Sequence, residues 1–126
     1  MSGEALQKAL YQRLTDALAD LNCPVYDDVP EGSALPYVQF ASSEEMAAID
    51  LDGLTSPQFI YLSVWSDYAG QLEVKRIMQR IKEAIRDPLT LEKGRAFGLT
   101  WVRGRSVPEP DGKTYQGLVA LSCFTE

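Results

Sequence analysis

The chain reads as an α+β domain, and three stretches carry that reading. The first runs from Phe59 to Arg86. Its opening, Phe59-Ile60-Tyr61-Leu62-Ser63-Val64-Trp65, alternates. A short turn, Ser66-Asp67-Tyr68-Ala69-Gly70, follows, and then apolar residues recur at Val74, Ile77, Met78, Ile81 and Ile85. A period of two marks a strand and a period between three and four marks an amphipathic helix, so one element feeds directly into the other. The second stretch is a helical pattern at the N-terminus. The third is a pair of alternating segments around Pro110-Asp111-Gly112, which predicts a C-terminal β-hairpin.

The leading helix is expected from about Gly3 to Asp20. Leu6, Leu10, Leu14, Ala17 and Leu21 share a stripe, Ser2 is placed to cap the start, and Glu4 suits the positive end of the helix dipole. Asn22-Cys23-Pro24 ends it, because proline disfavours helical geometry in the residue before it. Residues 25–36 hold two prolines and a glycine and read as an extended, turn-rich connection. Tyr37-Val38-Gln39-Phe40-Ala41 reads as a short strand started by Pro36. From about 42 to 57 the chain is acidic and irregular. It is either a long loop or an extension of the flanking strands into a projecting hairpin that turns near Asp52-Gly53. Its lack of regular apolar spacing predicts mobility in the free subunit. In the second helix Arg80 lies off the apolar stripe and is expected on the outer face. Asp87-Pro88 ends that helix. Gly94 to Ser106 reads as a strand with Phe97, Leu99 and Trp101 on one face, and Tyr115 to Phe124 as its return.

The 126 residues fit one domain, 1–126, large enough to bury roughly two thirds of its unfolded surface without metal or disulfides. No apolar run approaches the ~20 residues that span a bilayer, and the first residues lack the basic start and apolar stretch of a signal peptide. A cytosolic protein with no membrane partner is expected. Twelve basic and eighteen acidic residues give a net charge of −6, a poor balance for gripping nucleic acid through its phosphates. Lys75, Arg76, Arg80, Lys82 and Arg86 mostly fall between the apolar positions of the second helix and read as a solvated face.

The chemistry of catalysis is largely missing. There is no histidine, which removes the commonest general base, zinc ligand and triad partner. Cys23 and Cys123 are far apart and form no C-x-x-C pair, so both are expected as free thiols, Cys123 as a small core hydrophobe. Gly94-Arg95-Ala96-Phe97-Gly98 lacks the third glycine of a dinucleotide loop, and there is no phosphate-binding lysine loop. Glu44-Glu45 and Asp50 with Asp52 are the acidic clusters, and their spacing does not match a calcium loop. Arg103 and Arg105 either clamp an acidic partner or are simply exposed at alternate strand positions. No catalytic residue, cofactor or metal is expected. The six residues Glu44, Glu45, Asp50, Asp52, Arg103 and Arg105 stand as candidate interface positions.

Phe59, Tyr61 and Trp65 share the strand face opposite Ile60, Leu62 and Val64. Two apolar faces need two covers. Helices supply one, and a one-domain chain leaves the other to a neighbouring subunit.

Four features in order resemble the tail terminator proteins of phages and prophages, which complete the tail and join it to the head. They are the leading helix Ala5-Leu6-Gln7-Lys8-Ala9-Leu10-Tyr11-Gln12-Arg13-Leu14; Val25-Tyr26-Asp27-Asp28-Val29-Pro30 with Leu35-Pro36-Tyr37-Val38; Leu62-Ser63-Val64-Trp65-Ser66 leading to Gly70 and the helix; and the late hairpin with Asp111-Gly112 and Gly117-Leu118-Val119. The resemblance spans nearly the whole chain. It implies two helices packed on a mainly antiparallel sheet and a homo-oligomeric ring, commonly sixfold. It also implies contacts with the tail tube protein and a head connector, with DNA passing through the lumen. It carries no catalytic residues. A monomeric, non-enzymatic adaptor is the competing reading, and a small hydrolase lies further behind.

Overall fold

The computed structural model describes residues 2–51 and 53–126. The leading helix, α1, spans Ser2–Leu18 and runs into a 3-10 turn at Ala19–Leu21. Its buried stripe is Leu6, Leu10, Leu14 and Leu18, so the stripe keeps a strict spacing of four and Leu18 takes the place expected for Ala17. Leu21 packs only partly. Asn22 stops the helix in a left-handed conformation, φ 52°, with its N–H returned to the Ala19 carbonyl. Pro24 therefore reinforces a stop that the asparagine makes.

Five strands follow: β1 (Val25–Tyr26), β2 (Tyr37–Glu45), β3 (Ser56–Ser66), β4 (Ala96–Pro108) and β5 (Tyr115–Thr125), with α2 (Leu72–Ala84) between β3 and β4. They form one sheet in the order β1-β2-β3-β5-β4. Among the described residues only the β1–β2 pairing is parallel; the connection around Val25 thus contributes a two-residue strand. The expected mainly antiparallel α+β arrangement is what forms.

Both helices cover the same side of the sheet. Val38, Phe40, Ile60, Leu62, Val64, Val119, Leu121 and Cys123 meet the α1 leucines and Val74, Ile77, Ile81 and Ile85 of α2 in one core. Gly117 lets α2 approach closely: a Cβ there would lie 2.7 Å from Val74 Cγ1. Arg13 ties the two helices. Its guanidinium donates to the carbonyls of Ala84 at 2.8 Å, Asp87 at 3.0 Å and Pro88 at 3.0 Å, satisfying carbonyls at and beyond the negative end of α2. Arg80, expected to face outward, lies instead between the helices. It bonds the Ala17 carbonyl at 2.9 Å and Asp20 at 2.6 Å. Helical phase excludes Arg80 from the sheet side, but the flank beside the sheet stripe faces α1.

Candidate assembly surfaces

Among the described residues no layer covers the far side of the sheet. Strand register sets its residues in rows: Trp65 beside Tyr37 and Gln116, Ser63 beside Gln39 and Leu118, Tyr61 beside Ser42 and Ala120, Phe59 beside Glu44 and Ser122. On β4 the rows continue through Arg105 next to Leu118 and Arg103 next to Ala120. Three of the six candidate interface residues, Glu44, Arg103 and Arg105, thus share this bare face although far apart in sequence. The Tyr61 hydroxyl donates to Glu44 Oε1 at 3.2 Å. Burial, and then that bond, push the Tyr61 phenol above its ordinary value, while Arg103 pulls it back. Trp65 leaves its indole N–H buried with no hydrogen-bond partner. A buried unpaired donor is costly, and it sits here on the face with no cover.

β-bulges decide which β4 residues reach this face. Register shifts fall between Phe97 and Thr100 and between Trp101 and Arg103. The first breaks the expected grouping of Phe97, Leu99 and Trp101. Leu99 and Trp101 pack toward the core, while Phe97 turns to the bare side and stacks on Phe124 with ring centroids 5.6 Å apart. Gly98, at φ 66°, supplies the left-handed residue that the bulge needs. Two-residue alternation fails wherever such an extra residue enters.

The stretch from 42 to 57 resolves into the projecting hairpin. β2 continues to Glu45 and β3 begins at Ser56, and beyond the sheet Met46 N–H bonds the Pro57 carbonyl and Ile49 N–H the Thr55 carbonyl, both at 2.9 Å. Asp50 closes the tip by accepting from Leu54 N–H at 2.9 Å and Thr55 N–H at 3.1 Å. Those backbone donors, Thr55 first, hold its carboxyl below the usual range. Asp50 is therefore a turn builder; Asp52 lies outside the described residues. The arm carries apolar side chains in solvent: Met46, Ile49, Leu51 and Leu54 are all more than half exposed. In sequence the segment shows its acidity, and these four apolar residues follow no regular period.

Glu45 points to the helix side. There it joins Glu4, Lys8, Tyr11 and Asp27 around a cleft of about 520 Å³ between α1 and the root of the arm, with Leu6 and Ile60 in its wall. Among the described residues no group of three His, Cys, Asp or Glu is arranged to hold a metal ion, and no helix is long and apolar enough to cross a membrane. Both thiols are free and buried, and burial pushes Cys23 up to about 12, helped by Glu73, and Cys123 up to about 11. Neither is a nucleophile at neutral pH.

A half-covered sheet and an arm with apolar side chains in solvent are surfaces of the kind that meet other protein chains. Comparison with known proteins gives the family. The model of the tail completion protein gp17 family matches residues 8–126, and the chain belongs to that family. Among solved structures, it is similar to a chain in the virion of a native gene transfer agent particle. The identity is 27% and the TM-score 0.87, over 98% of this chain and 96% of that one. It also shares the fold of the gp17 protein of bacteriophage SPP1, at 23% identity and a TM-score of 0.61, over 99% of this chain and 91% of that one. No curated protein sequence matches. The chain is accordingly a structural protein of the phage tail-completion kind.

Proposed function

We propose that this protein caps the tail tube, stops its polymerisation and forms part of the joint to the head, as a closed ring that is commonly sixfold in such proteins. Membership of the tail-completion family over residues 8–126 carries the reading. The bare sheet face and the exposed arm supply the contact surfaces such a role needs. A head-to-tail interface whose rotation closes gives a ring with two different ends. One end matches the last ring of tube protein. The other matches the head connector, so no further tube subunit can add. The bare face around Tyr61 and Trp65 is buried against neighbouring chains of that assembly, and Ile49 and Leu54 on the arm anchor in the tube ring. The protein performs no catalysis. DNA passes through the lumen, and the excess of acidic residues keeps phosphate from sticking. Its place is the head-proximal end of the tail, reached from the host bacterial cytoplasm.

Tube length tests this. The purified chain is added to polymerising tube protein of the same phage and the products are imaged by electron microscopy. Short tubes with a terminal ring are expected. Tubes that lengthen without limit and end bare overturn the capping role, and a chain that stays monomeric on a different partner supports the adaptor reading.

A further inference from the structure

Charge is uneven along the chain, and the strand order converts that into a difference across the molecule. Residues 1–70 carry 2 of the 12 Lys and Arg and 11 of the 18 Asp and Glu, a net of −9; residues 71–126 carry 10 and 7, a net of +3. In the order β1-β2-β3-β5-β4 the early strands form one edge and the late strands the other, with α1 packed on β1 and α2 reaching β4. The early edge holds the 520 Å³ cleft, ringed by Glu4, Asp27 and Glu45. Among the described residues its one base, Lys8, is engaged by Glu92 at 2.9 Å. The late edge holds a groove of about 280 Å³ between α2 and β4, lined by Lys75, Lys82, Met78 and Trp101. Lys82 Nζ lies 5.8 Å above the Trp101 ring. The three ion pairs among the described residues are Lys8–Glu92, Arg80–Asp20 and Arg95–Glu126. None uses Asp27, Glu45, Lys75 or Lys82.

We propose that the acidic α1–β2 edge of one copy docks on the basic α2–β4 edge of the next. This rests on the ring reading above and names the surfaces that would close it. Opposite signs sit at opposite edges, so the favoured contact is head-to-tail and leaves one edge of each sign open until the ring closes. Back-to-back pairing sets like charges together and is disfavoured. Each edge also offers apolar area, Tyr11 and Ile60 in the cleft against Met78 and Trp101 in the groove. Charge steers the encounter and this area completes it.

The test uses one variant per edge. K75E/K82E makes both edges acidic, and D27K/E45K makes both basic. All four positions are exposed, and a thermal melt checks that each variant folds. Self-association is read by sedimentation over a concentration series, with tube protein absent and present. Each variant alone is expected to associate more than about 30-fold more weakly than the native chain, and an equimolar mixture to recover to within about fivefold. Raising salt from about 50 mM to about 500 mM should weaken the native contact. Variants that each assemble like the native chain, or a mixture no better than its components, overturn the edge assignment and leave the ring reading standing. A native chain that stays monomeric under every condition overturns the ring reading, and the edge assignment with it.

Discussion

The two faces of this sheet are made by the same strands, yet they solve different problems. On one, Ile60, Leu62, Val64, Val119 and Leu121 are sealed under two helices. On the other, Phe59, Tyr61 and Trp65 alternate with them and have no second layer. The two tryptophans sharpen the contrast. Trp101 lies on the helix side with Lys82 above it, while Trp65 lies on the bare side with an unpaired indole N–H. The covered face stores the free energy of folding. The bare face leaves apolar area uncovered, and in the proposed assembly that area is what a partner would bury. Stability and assembly should therefore respond to different substitutions.

The largest effect on stability belongs to the covered face. Ile81 is fully buried, and Ile81→Ala should cost about 2–5 kcal/mol in denaturant melts of the free chain. A cost below about 1 kcal/mol would mean that α2 does not seal this face. The next effect lies where the two helices join. Arg13→Ala strips three carbonyl contacts at and beyond the end of α2 and should cost about 1–2 kcal/mol, with Arg13→Lys recovering only part, since one ammonium cannot reproduce the planar fork. Full recovery by lysine would show that charge alone suffices there. The arm should behave in the opposite way. Ile49→Ser with Leu54→Ser removes solvent-exposed side chains, so the melt should move by less than about 0.5 kcal/mol while capping of tube ends is lost. A large loss of stability with capping intact would contradict the division.

The smallest effect is one of pH and concerns the two hairpin turns. Asp50 closes the arm, and Asp111 closes the β4–β5 turn by accepting from Lys113 N–H and Thr114 N–H, both at 2.8 Å. Backbone donors hold both carboxyls below their ordinary value, from Thr55 at Asp50 and from Lys113 at Asp111. A depressed carboxyl stabilises the fold above the unfolded value of about 3.9 and loses that contribution as pH falls through the lower folded value. Both turns should hold unchanged from neutral pH to about pH 5 and loosen only below about pH 4. Carboxyl NMR titration should give midpoints under the unfolded value at both sites. Midpoints at or above it would show that the turns do not use these charges.

Much of this was legible in the sequence, and the failures have physical causes. The change of period from Phe59 to Ile85 fixed β3 and α2, and the helical stripe located α1, because these depend on local spacing. Leu18 was missed for Ala17 because a stripe spaced strictly by four and one that alternates three and four differ by a single position. Phe97 was grouped with Leu99 and Trp101 because a bulge at Gly98 adds a residue that alternation cannot see. Arg80 read as a solvated outer-face charge and Arg13 gave no signal of its own, because their partners, at residues 17–20 and 84–88, are chosen by helix packing. Of the candidate interface, Glu44, Arg103 and Arg105 came together through sheet register, Glu45 turned to the helix side, and Asp50 proved to be built into a turn. Sequence alone named these residues without showing which of them share a surface.

The division between a folding face and an assembly face is tested most directly by hydroxyl-radical footprinting of the free chain and of the chain on tail tubes. Tyr61, Phe97 and Leu118 on the bare face should be oxidised readily in the free protein and become protected on tubes, with Leu62 and Ile81 unreactive in both. Equal oxidation of the bare face in the two states, on tubes that are nonetheless capped, would contradict the account.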